Sequence, residues 1–165
     1  IFKEEELSNY SFESMLAQPY DCLVLVNPQV QILDEISEKI QSFGVMHLNV
    51  SKELSNALMT IPTYERGLFA EEWLKNLLRE FKEKPVLCSH PDLFFHPSLK
   101  IDFFTLIRQV ARIKQVIILW PGEYSKDTLT YAIPDHHHYK VWKISESLLI
   151  QPKILIYPIS AAQGA

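Results

Sequence analysis

The sequence predicts an α/β domain: a mostly parallel sheet flanked by helices, with short strands after it. Three observations carry this. Cys22–Val26, Val86–Cys88 and Val116–Trp120 are apolar runs without a polar interruption. Such runs belong to strands covered on both faces, the habit of parallel sheets. The segments between them carry apolar residues at helical spacing, with charge on the opposite face. Finally, Pro85 to Gly122 reads as strand, turn, helix and strand in one continuous βαβ unit. A right-handed crossover is expected there.

In chain order, residues 1–18 are polar and acidic with Leu7, Tyr10, Met15 and Leu16 as their apolar contacts, and a short helix over Ser11–Gln18 ends at Pro19. The strand Cys22–Val26 is broken by Asn27-Pro28. The helix Gln31–Phe43 places Ile32, Ile36, Ile40 and Phe43 on one face and stops at Gly44. The strand Val45–Asn49 follows, and Ser51 is the expected N-cap of a helix over Lys52–Met59. Ile61–Gly67 reads as a loop. The next helix runs to about Phe81 on a stripe of Ala70, Trp73, Leu74, Leu77, Leu78 and Phe81. Pro85 fits the start of the strand Val86–Ser89. The helix before Val116 carries Leu99, Phe103, Leu106, Ile107 and Val110 on one side. Pro121–Asp127 reads as a polar loop. Leu129–Ile133, Tyr139–Ile144 and Leu148–Tyr157 are β-type segments, and Pro152 confines the last to an edge or a break.

Size and composition bound the function. A chain of 165 residues is one domain, 1–165, with enough length for a proper core. Hydrophobic content of 47% and charged content of 22% are ordinary for a globular protein. A net charge of −4 argues against a dedicated nucleic-acid binder. Cys22 and Cys88 lie inside strands and read as buried reduced thiols. No apolar run approaches the roughly 18 residues that span a bilayer, so no membrane partner is expected. The opening IFKEEELSNY lacks the apolar core of a signal peptide. The expected compartment is the cytoplasm.

Ligands of open α/β sheets sit beyond the C-terminal ends of the strands. That puts the candidate site at Asn27-Pro28, Ser89-His90 and Trp120-Pro121-Gly122. A phosphate loop needs several Gly so that backbone N–H groups converge, then Lys and Ser/Thr for charge and Mg²⁺. The turn here is VNPQVQILDEI, without any of them, in a chain holding four Gly against ten Pro. Asn27, Pro28, Asp92 and Trp120 are the remaining candidates for nucleotide contact. Asp92 could take Mg²⁺ through water, or make a local turn bond after Pro91. Cys88, His90 and His96 are the candidate metal ligands, although Cys88 reads as core. His136-His137-His138 cannot all face one ion on an extended segment. Arg108, Arg112 and Lys114, with Lys140 and Lys143, are the candidate nucleic-acid contacts. No Gly-x-Ser-x-Gly elbow occurs, and Ser89 beside His90 is no triad. Phe94, Phe95, Tyr124, Tyr131 and Tyr139 are candidates for an exposed partner surface or for core.

The segments LNVSKELSNALMTIP, PDLFFHPSLKIDFFTLIRQVARIKQVIILWPG and LTYAIPDHHHYKVW, in this order, resemble BrxF. BrxF is the small P-loop protein of type 3 BREX bacteriophage-defence systems. The match runs from about Cys22 to Trp142. The resemblance implies a P-loop NTPase core of the AAA type and a role beside larger protein partners in restricting phage DNA. The family's glycine-rich GKT loop falls at Asn27–Ile32, where those residues are missing. Its acidic residue at the end of the third strand falls at Ser89. The expectation is therefore a pseudo-NTPase with a degenerate Walker A position: a non-catalytic assembly or regulatory subunit, without catalytic residues or a cofactor. The alternatives are an ATP–Mg²⁺ binder that uses non-standard contacts or a partner-completed site, and a DNA-contacting subunit.

Overall fold

A computed structural model describes residues 12–132 and 135–160. The expectations at Leu7, Tyr10, Ser11 and Ile133 lie outside them. Five parallel strands form the main sheet: β1 (Cys22–Val26), β2 (Met46–Asn49), β3 (Val86–Ser89), β4 (Val116–Trp120) and β8 (Ile154–Pro158). Their spatial order is β2-β3-β4-β1-β8. The three apolar runs read from sequence are its three central strands, and every residue of β1, β3 and β4 is buried. The main sheet is therefore wholly parallel.

The pleat divides these strands between two cores. Cys22, Val24, Val26, Cys88, Ile118 and Trp120 pack on one face, with buried residues from helices α3 (Val50–Leu58), α4 (Arg66–Glu80) and α5 (Phe103–Ala111). Leu23, Leu25, Leu87, Ile117 and Leu119 pack on the other, against Leu33, Ile36 and Ile40 of helix α2 (Val30–Gln41) and Met15 of the short helix α1 (Phe12–Leu16). The connection from β1 to β2 carries α2 across one face. The connections from β2 to β3 and from β3 to β4 run the opposite way and use the other face. Reversing direction and face together keeps every crossover of one hand.

Between β4 and β8 lies a three-stranded antiparallel sheet, β5 (Gly122–Ser125), β6 (Thr128–Tyr131) and β7 (Lys140–Lys143). An aromatic cluster clamps it to the main core. Phe95 stacks on Tyr131 with ring centroids 3.9 Å apart, and meets Trp120 and Trp142 edge-on at 5.0 and 5.9 Å. Asp102 Oδ1 accepts both the Thr105 amide, as the N-cap of α5, and the Trp142 indole N–H, each at 3.1 Å.

Several local expectations are corrected. Asn49, not Ser51, caps α3, its side chain accepting the Lys52 amide. The helix begins earlier because the Ser51 hydroxyl is used elsewhere. It donates to His90 O at 2.5 Å and accepts the Leu93 amide at 3.0 Å. The loop 121–127 contains β5, since its polar residues pair with the exposed side of β6. Within Leu148–Tyr157 the break expected at Pro152 is present, and the β-type part is its second half. A 3-10 turn at Glu146–Leu149 precedes Pro152, and the edge strand begins at Ile154. Phe94 and Phe95 belong to no partner surface, being 0% exposed.

Candidate functional site

The crevice that matters in such a sheet lies where neighbouring strands send their connections in opposite directions. Here it lies between β1 and β4. The link from β1 to α2 is three residues, Asn27, Pro28 and Gln29, too short to wrap a phosphate chain. The helix also starts without a side-chain cap.

The crevice is laced shut. Asn27 N–H donates to Trp120 O at 3.1 Å, and Gly122 N–H donates to Asn27 O at 3.2 Å. These two bonds extend the β1–β4 ladder past the strand ends. The Asn27 side chain spans the other side. Its Nδ2 donates to Ile159 O at 2.7 Å, and its Oδ1 accepts the Gln29 amide at 2.8 Å. Ile159 N–H completes the circuit on Val26 O at 2.9 Å. Asn27 thus binds β1, β4 and the end of β8 with every polar group it has. Gly122 is required here for space, because a Cβ would stand 1.8 Å from Thr130 O.

A second set of contacts closes the ends of β2 and β3. His47 Nε2 and Ser89 Oγ are 2.6 Å apart, and His90 Nε2 lies 3.0 Å from Asp34 Oδ1 of α2. The strand stops at His90 because its backbone turns left-handed, with φ 50°. Ser89 and His47 have the spacing of a nucleophile and its base, but Ser89 is buried, 2% exposed. The cleft over Ser89, His90, Asp34 and Asp92 holds about 10 Å³, the room of one water molecule. Burial, and then the neighbouring His90, lower the pKa of His47 below its ordinary value.

The other sequence candidates are distributed as follows. Asn27 and Pro28 form the laced turn. Trp120 is 0% exposed and gives its N–H to Thr130 O at 2.8 Å, which leaves no face for a base to stack on. Asp92 opens a 3-10 turn, Asp92–Phe95, and borders the one-water cleft. Cys88, His90 and His96 are not brought together. Cys88 is in the core, where burial lifts its thiol to about 12. His90 faces Asp34, and His96 packs on His138 with ring centroids 5.0 Å apart. Among the described residues no three His, Cys, Asp or Glu converge on a point that could hold a metal ion.

His136 and His138 do share a side, with centroids 5.7 Å apart. His136 Nδ1 accepts the His138 amide at 3.0 Å, and His96 Nδ1 accepts the Ser98 amide at 3.1 Å.

Arg112 and Lys114 are brought together at the opposite end of the sheet, with Lys82 and Lys84 in the same cleft. Arg108 sits one helical turn before Arg112, half-buried. Sequence reading missed Lys82 and Lys84. The available signal was their position, just before Pro85 and β3, as Arg112 and Lys114 stand just before β4. It also missed the local cap Asn49, and His47 and Asp34, which meet Ser89 and His90 only through strand register and helix packing.

Compared with protein-family models, curated proteins and solved structures, the chain matches none. Among the described residues no helix is long and apolar enough to cross a membrane.

Proposed function

We propose that this chain is a non-catalytic subunit that keeps a P-loop-type α/β core as a scaffold and acts through its surface. The observation that carries the reading is the Asn27 lacing. Where a nucleotide-binding member of such a fold opens a glycine loop around phosphate, this chain closes β1 onto β4 and β8. Two further features support it. The strand order puts β1 inside the sheet, next to the central β4, with a reversal between the two, the layout in which a nucleotide crevice would be expected. The Walker B position holds Ser89, buried and engaged with His47. The resemblance to BrxF gives the context: an assembly or regulatory component, with protein partners, of a bacterial anti-phage system of the BREX kind.

The test is a calorimetric and thermal-shift titration with ATP–Mg²⁺, first on the protein alone and then on its complex with proteins encoded beside it. The expected result is no heat and no rise in Tm in either case. Binding by the complex alone would replace the reading with a composite nucleotide site. Binding by the isolated chain, or hydrolysis above that of an Asn27 variant, would overturn it.

A further inference from the structure

The N-terminal ends of the main strands form a second edge, and its chemistry is the reverse of the first. Backbone hydrogen bonds set the starts of four strands side by side. Val86 N–H donates to Gln115 O at 3.1 Å, Val116 N–H to Asp21 O at 3.1 Å and Cys22 N–H to Lys153 O at 3.1 Å. The residues there are Lys84 before β3, Arg112 and Lys114 before β4, and Lys153 before β8. Lys82 joins Lys84, Arg112 and Lys114 around a cleft of about 590 Å³.

One carboxylate, that of Asp21, lines this cleft, and it is turned to the Lys153 amide at 2.7 Å. Glu83 lies between the two lysines in sequence and does not line it. The Lys114 ammonium donates to Phe81 O and has two donors left. Among the described residues Lys75 pairs with Glu72 and the His90 ring meets Asp34, and no cation of the cleft is in an ion pair. Helices α4 and α5 both end here, which favours cations nearby. Each helix C-terminus supplies only about half a negative charge. Among the described residues the two helix ends and Asp21 together offset about half of the charge on Lys82, Lys84, Arg112 and Lys114, and the cleft stays cationic in a chain whose net charge is −4.

We infer that this edge binds the phosphate backbone of a nucleic acid. The geometry favours a polyanion over a lone phosphate. Helix C-termini point carbonyls at the cleft, not the N–H groups that hold a single phosphate. From β3 to β8 the edge crosses three strand spacings, roughly 14 Å. Over that length a nucleic-acid strand presents about four phosphates at 3.4 Å rise each. Contacts of this kind carry no sequence preference. The inference is independent of the pseudo-NTPase reading, whose site is at the other end of the sheet.

The experiment is fluorescence anisotropy with a labelled duplex and a single strand of about 20 nucleotides, from about 50 to about 200 mM salt. Binding is expected to weaken with salt at a log–log slope of about −3, the release expected for three to four phosphate contacts. The triple variant Lys82→Glu, Lys84→Glu and Arg112→Glu should bind at least about tenfold more weakly and lose most of that slope. A variant with the same charge change elsewhere, Lys39→Glu, Lys52→Glu and Lys126→Glu, should keep its affinity within about twofold if the contacts are local. Circular dichroism checks that both fold. Should the reversal variant not fold, the neutral pair Lys82→Gln and Arg112→Gln replaces it, with a slope about 2 shallower than wild type.

Absence of binding by the wild-type protein would overturn the inference. So would equal loss in the control variant. Displacement of the oligonucleotide by inorganic phosphate at constant ionic strength would assign the cleft to a lone anion instead. Binding to phosphatidylserine vesicles without binding to either oligonucleotide would assign it to a lipid surface.

Discussion

The two edges of the main sheet are built from the same strands and treat polar groups in opposite ways. At the C-terminal edge Asn27, Ser89 and Trp120 are buried, and their polar atoms are taken up by the protein itself. At the N-terminal edge Lys82, Lys84 and Arg112 are exposed and in no ion pair with described residues. The first edge spends its hydrogen bonds on stability, and the second leaves its charge available to solvent and ligands. A buried polar group costs free energy when its partner is removed, whereas an exposed one costs little.

The largest expected effect is at Asn27. Asn27→Ala strands the Ile159 carbonyl at a buried position and takes the acceptor from the Gln29 N–H in the exposed turn, and should cost about 2 kcal/mol in urea unfolding. A loss of only a few tenths, the level of a surface substitution, would break the contrast between the two edges.

A smaller effect is expected from pH. His47 has a folded-state pKa below its ordinary value, chiefly through burial, so the unfolded chain binds more protons in that window. Its contribution is fully present above the ordinary histidine value of about 6.5 and is lost as pH falls through the folded value. Stability should therefore fall more between pH 7.5 and pH 5 in the wild type than in His47→Gln. His138 is lowered in the same direction by desolvation and by His96, His136, His137 and Lys140, and it contributes equally to both proteins. Parallel pH curves for the two would mean that His47 titrates as if exposed.

The smallest expected change sharpens the comparison from the other side. Lys82→Ala and Arg112→Ala should leave stability within about 0.5 kcal/mol of wild type, as exposed substitutions do. A loss of 1 kcal/mol or more would assign these cations to helix-end stabilisation, the magnitude that a macrodipole contact can reach.

Much of the fold was legible because its central strands are buried on both faces. Continuous apolar runs such as Val116–Trp120 have few alternatives in a chain of this size. The ends of elements were less legible. Ser51 carries the signal of an N-cap, yet tertiary contact with His90 claims its hydroxyl, and Asn49 caps the helix instead. Phe94 and Phe95 look exposed beside prolines and a histidine. Tyr131 and Trp142 of the β5–β6–β7 sheet cover Phe95, and Phe94 stacks on Phe103, so both lie in the core. At the candidate site, the missing Gly and Lys were visible in VNPQVQ, but the lacing by Asn27 was not. Its partners Trp120 and Ile159 are far away in sequence and are brought close only by strand order.

By itself, then, the sequence determined the parallel α/β core and the lack of a phosphate loop, since both follow from local composition and periodicity. Tertiary structure alone decided that Asn27 seals the crevice, that His47 meets Ser89, and that Lys82 and Lys84 join Arg112 and Lys114. Those pairings depend on which strands become neighbours. In a parallel sheet that is settled by long crossovers and core packing, which no short stretch of sequence encodes.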